Sequence, residues 1–254
     1  MKKALISILI ILILLLSFPA TVLAAEPSKK PLTPPELKSV TFIHYEKPDK
    51  PGKPDKPGKP DKPAPEPEGS YKLLGLYLPG PVNYHVNDTG APVGAVGEIE
   101  LSFNEWDGVV TKDLFSDSAY STYVSGLRKD NQNTVSWVKI APPKAIAVTR
   151  LWYLDDGNPE TLDPIVEFDI AFNSFLQWGI DLDDEGDMYF LDSAFDVQNI
   201  ATHEVGHVVG LADLYEDKNS ELTMYGYGSI GETIKISLAD GDIEGAQYIY
   251  SNIQ

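Results

Sequence analysis

Ala201-Thr202-His203-Glu204-Val205-Gly206-His207-Val208-Val209-Gly210-Leu211-Ala212-Asp213 is the stretch from which the rest of the chain is read. Its first part predicts the end of a helix over 197–209, seated on a core by Val205, Val208 and Val209. Four residues apart on such a helix, His203 and His207 leave one face about a turn from each other, so both imidazoles can grip one metal ion. Glu204 sits beside them and can reach a water on that metal without competing as a ligand. Gly210 lets the backbone leave the helix through a left-handed conformation, which turns the side chain of Asp213 back toward the imidazoles. A catalytic zinc needs three protein ligands and an open fourth position. The aspartate lowers the charge of such a complex relative to three neutral histidines and makes it a weaker electrophile.

Outward from this motif, periodicity predicts strands over 82–86, 134–140, 145–153, 165–172 and 188–191, and helices over 93–110 and 238–250, the last N-capped by Ser237. Strands and helices mix early and helices dominate late, an α+β (α/β-like) pattern with one sheet. Between strand and motif lies an acidic loop. Asp181, Asp183, Glu185 and Asp187 alternate around Gly186 with Asp192 at the twelfth place, a spacing close to that of a calcium loop; a solvated acidic loop is the other reading. Of the four histidines, the two outside the motif, His44 and His85, are expected at the surface.

Composition bounds the partners. The 254 residues hold 38 Asp+Glu against 20 Lys+Arg, a net charge of -18, and no cysteine. Disulfides and thiolate metal sites are excluded, and a polyanion such as nucleic acid finds no concentrated basic face. Residues 1–25 have the layout of a secretory signal peptide, Lys2 and Lys3 before an apolar run and a small-residue end, with a permanent membrane anchor as the alternative. Residues 26–70 carry 12 of the 20 prolines and a Lys-Pro-Asp-Lys-Pro-Gly repeat. Such a segment cannot bury a core and is expected as an extended linker or stalk, or else a wall-binding tail. The strand-like 40–45 within it has no assigned role. Residues 71–254 are expected as one domain, with 30 of the acidic and 9 of the basic residues.

H-E-x-x-H-x-x-G-x-x-D over 203–213 resembles the metzincin zinc peptidases, and Met224 in Leu222-Thr223-Met224-Tyr225-Gly226 looks like their Met-turn. Gly226 stands where some metzincins have a tyrosine ligand, so the likeness is to the matrixin-like branch. Residues 238–250 are similar to the matrixin C-terminal helix, with Gly241 replacing one of its paired aspartates; 166–172 and 195–199 are similar to a family strand and to the entry of the active-site helix. The resemblance spans 80–251 and implies a metzincin catalytic domain: a twisted mixed five-stranded sheet, an active-site helix and a C-terminal helix. It implies a secreted zinc endopeptidase, with His203, His207 and Asp213 on zinc and Glu204 as general base for the attacking water; the chain is expected as a monomer, extracellular or associated with the cell surface, with calcium as the second metal. Peptide or protein substrates would lie extended along an edge strand, for which 188–191 is the candidate, with Tyr225 and Tyr227 lining the pocket. No membrane insertion apart from the signal peptide is expected. Without a cysteine, the family's cysteine-based latency is absent. Two other readings stay open here: a non-catalytic metal-binding surface module, and an iron oxygenase using His203, His207 and Asp213 as a facial triad.

Overall fold

The computed structural model describes residues 34–48, 70–180, 193–251 and 253. The signal peptide, the repeat, the acidic loop with Asp181, Asp183, Glu185, Asp187 and Asp192, and the expected edge strand 188–191 lie outside these residues. Among the described residues, no helix is long and apolar enough to cross a membrane.

The strands are β1 (Glu36–Glu46), β2 (Leu76–Tyr77), β3 (Tyr84–Asn87), β4 (Tyr120–Ser121), β5 (Asn133–Val138), β6 (Ala145–Asp155), β7 (Asp163–Asn173), β8 (Trp178–Gly179), β9 (Phe195–Asp196) and β10 (Tyr227–Gly228). The helices are α1 (Ala95–Asp107), α2 (Val197–Val209) and α3 (Asp240–Ser251). The main sheet runs β10-β1-β6-β7-β5-β3-β4, with β2 paired to the start of β7. Five of its strands, β6-β7-β5-β3-β4, make a mixed sheet of the expected kind: β6 and β7 are antiparallel, and the remaining pairs are parallel. It is larger than the expected five strands because β1, β2 and β10 join it. The architecture is α+β, a multi-stranded mixed sheet with three helices, consistent with the expected catalytic domain.

β1 is the main departure from the sequence reading. It falls inside the expected linker over 26–70, yet it pairs antiparallel with β6 from Glu36↔Asp155 to Tyr45↔Ala145 and parallel with β10 at Tyr45↔Tyr227. The reason is its period. Val40, Phe42 and His44 alternate inward and are buried, the two-residue repeat of a strand with one face on a core.

α2 packs against β6 and β7 of the sheet and against α1. All thirteen of its residues are buried, as a helix enclosed on every side must be. α1 turns Ala95, Ile99, Ser102, Phe103 and Trp106 inward, and the Trp106 indole N–H donates to the Thr202 carbonyl at 2.8 Å. Phe103 stacks on Tyr84 of β3 at 4.0 Å, which ties α1 to the sheet. The last helix begins at Asp240 rather than at 238, and Ser237 does not cap it. The Asp242 carboxylate serves that end instead, accepting from the backbone N–H of Ala239.

Candidate metal centre

α2 sets the centre by where it starts and stops. Asp196 caps its first turn by accepting from the Asn199 N–H at 2.7 Å. At the other end Gly210 has φ +115°, and the N–H groups of Gly210 and Leu211 return to the Gly206 carbonyl. A side chain at Gly210 would strike the Leu76 carbonyl, so both the conformation and the space require glycine. The turn carries the chain back to Asp213, as the spacing predicts.

The His203 Nδ1 lies 2.7 Å from the Thr223 carbonyl and the His207 Nδ1 2.8 Å from the Leu211 carbonyl. A carbonyl only accepts, so each Nδ1 carries the proton and each Nε2 presents a lone pair. The two Nε2 atoms meet Asp213 Oδ1 at 3.2 and 3.5 Å. One ligand atom from each of these three buried residues lies within 4.8 Å of the others. Burial lowers the pKa of His203 to about 4 and keeps its ring neutral. Burial works against the Asp213 charge, but protonated His207 and hydrogen bonds from both rings outweigh it and hold the carboxyl well below the usual range, help that is lost when the Nε2 atoms are unprotonated. Two imidazole lone pairs and a carboxylate aimed at one buried point repel one another unless a cation stands between them. His203 Nε2 and Asp213 Oδ1 have no hydrogen-bond partner in the protein. The donor set fits a zinc ion.

Glu204 points beside this cluster. Its Oε2 accepts from the Thr149 hydroxyl of β6 at 2.5 Å, and its Oε1 lies 3.4 Å from His44 Nδ1. Burial pushes its carboxyl up to about 7. Met224 is buried against Gly206, where an added Cβ would overlap its sulfur. The turn that carries it is held by Asp242, which accepts from the N–H groups of Thr223 and Met224 at 2.8 and 3.1 Å. That same turn supplies the Thr223 carbonyl to His203, so α3, the Met224 turn and the first imidazole form one connected unit.

Residues 130–251 match the family model of the matrixins. No curated protein matches the chain. The match supports a metzincin- and matrixin-like domain of the zinc metallopeptidase kind, and it begins ahead of β5, leaving β1, β3 and α1 outside it. Matrixins are zinc-dependent and generally extracellular.

Within the matrixin-like segment, the structure brings His203, Glu204, His207, Asp213 and Met224 together. Tyr225 is buried, with the Lys47 and Lys235 ammonium groups over its ring, and Tyr227 meets β1 through its backbone. Four contributors were missed. Thr149 reaches Glu204 only through the placement of β6 against α2, and the Tyr215 hydroxyl donates to Asp213 Oδ2 at 3.1 Å from a loop. Phe42 stacks on His207 at 4.2 Å. His44, expected at the surface, is instead buried and packs 4.0 Å from His203. The alternation of Val40, Phe42 and His44 was the available signal for the last two; the surrounding prolines hid it.

Proposed function

We propose that the chain is a secreted zinc-dependent endopeptidase acting on extended segments of extracellular proteins. The observation that carries this reading is the convergence of His203 Nε2, His207 Nε2 and Asp213 Oδ1 on one buried point with Glu204 beside it. Zinc held there would polarise the scissile carbonyl and acidify the attacking water. Glu204 takes the proton of that water and delivers it to the leaving amine. Its buried setting, with a carboxyl raised toward 7, suits a group that must both accept and release a proton near neutrality. Thr149 fixes one Glu204 oxygen and leaves the other for the reaction. Tyr215 orients Asp213 through the oxygen that does not face the imidazoles. Substrate pairs by its backbone with β6, the strand that passes Glu204, on the side that β1 occupies. The signal peptide, the monomeric state, calcium in the 181–192 loop and the stalk-like repeat complete the proposal.

The second reading is a non-catalytic metal-binding surface module, favoured by one observation: His44 fills the space at Glu204 Oε1. Elemental analysis of the secreted chain, with cleavage of an unfolded protein by wild type, Glu204→Gln and a chelator-treated sample, separates the two. One zinc per chain and cleavage lost in both controls supports the peptidase. Zinc with equal behaviour of wild type and Glu204→Gln, persisting when Phe42→Ala and His44→Ala weaken the seat of β1, supports the module, and iron in place of zinc overturns both.

A further inference from the structure

β1 lies where an incoming peptide would have to lie. Thr149 of β6 holds Glu204, so β6 is the strand alongside the reacting groups, and β10 is the strand on the opposite side of the gap. β1 fills that gap, bonded to β6 on one side and to β10 on the other. A sheet edge accepts one strand at a time. The buried side chains of β1 meet the centre in turn. Phe42 stacks on the His207 ring at 4.2 Å with 16° between the planes, and His44 lies over the His203 ring at 4.0 Å. His44 Nδ1 is 3.4 Å from Glu204 Oε1 and its Nε2 is 3.5 Å from Lys235 Nζ. The pairing of β1 with β6 slips between His44 and Tyr45, beside the general base. A Cβ on Gly228 would come within 2.9 Å of Ile146, 3.1 Å of Ile200 and 3.2 Å of His44 Nε2, so the ring is packed tightly among these neighbours. His44 groups with His203 and Glu204, while His203, His207 and Asp213 form a separate group, so its ring stands on the Glu204 side of the centre.

We propose that β1 is a tethered, autoinhibitory occupant of the substrate cleft, seated as an extended peptide substrate would be, with His44 as the plug at Glu204, and that activity requires its displacement. Covalent attachment makes the strand an intramolecular competitor, which holds the cleft at a high effective concentration without needing a tight contact. This chain has no cysteine to restrain the centre. The proposal rests on the endopeptidase reading for its biological meaning, but the occupancy of the cleft can be measured apart from turnover.

The test compares three zinc-loaded forms of the secreted chain: wild type, wild type carrying a recognition sequence for an unrelated protease within 49–69 and nicked there, and the uncut double variant Phe42→Ala, His44→Ala. The first readout is the affinity of a tripeptide hydroxamate by calorimetry; the second is cleavage of an unfolded protein. If β1 is seated in about nine molecules of ten or more, the hydroxamate binds wild type at least ~10-fold more weakly than the other two forms. A synthetic peptide of residues 36–46 should then compete with the hydroxamate on the nicked chain, and its His44→Ala version should compete less well. Amide exchange over β6 should rise on nicking and fall again with the peptide. Equal hydroxamate affinity in all three forms overturns the proposal, whether or not any of them cleaves protein. The expected affinity differences without cleavage in any form leave the inhibitory strand standing and sink the endopeptidase reading. No hydroxamate binding to any form overturns both.

Discussion

At Glu204 a single atom separates two roles. Glu204→Gln keeps the volume and the Thr149 contact but removes the proton acceptor, so turnover of the β1-displaced chain should drop by roughly 10²-fold or more with metal content unchanged. Metal content that falls together with turnover would point to a ligand role instead. Tyr215→Phe removes only the hydroxyl on Asp213 Oδ2. Partners of this kind are worth about 10–100-fold in metal affinity, so competition against a chelating dye should show zinc held more weakly while the circular dichroism stays the same. His203, Glu204, His207 and Asp213 were legible in the sequence because helix geometry and one glycine fix their relative positions. Thr149 and Tyr215 were not: the first depends on how a distant strand packs against the helix, the second on a loop with no period.

α2 and α3 meet through the Met224 turn, and the packing there is tight. Gly206→Ala would ordinarily favour a helix by about 1 kcal/mol, but here the methyl group meets the Met224 sulfur and the Trp106 ring. Overpacking of a buried helix costs about 1–3 kcal/mol, so chemical denaturation should show a net loss of stability. A gain would mean that the Met224 side chain moves aside freely. Asp242→Ala leaves the N–H groups of Thr223, Met224 and Ala239 without their acceptor. Buried donors cost about 1–3 kcal/mol each when orphaned, and because Thr223 also holds His203, zinc affinity should fall along with the melting temperature. At this scale the long elements were readable: α2 has the predicted bounds, and β5, β6 and β7 differ from prediction by one or two residues at most of their ends. The exception is β1, whose alternating residues sit between prolines on both sides. Composition over a wide window outweighed period over a short one, and the period was the better guide.

For the molecule as a whole, a metal that binds only the folded chain adds its binding free energy to stability. Saturation at a thousand times Kd is worth about 4 kcal/mol, and domains of this size shift by about 2–4 °C per kcal/mol. Calorimetry with and without a chelator should therefore show melting lowered by roughly 10 °C. An unchanged transition would mean that the ligand cluster does not hold metal at working concentrations. The fold class was readable from the alternation of elements and the motif at its centre. The order of strands in the sheet was not, because strand neighbours far apart in sequence leave no local trace. That order has a kinetic consequence. β1 leaves the ribosome before anything it pairs with; β6 is translated after α1 and β5, and the short β10 only after α2. Non-local pairings form late, so the hairpin of β6 and β7 comes together first, and the pairing of β1 with β6 and the packing of α1 on α2, each across about 100 residues of sequence, follow. For an interval during its own synthesis the newborn chain can carry its first-made strand already on the sheet edge, with the metal-centre residues not yet joined to it.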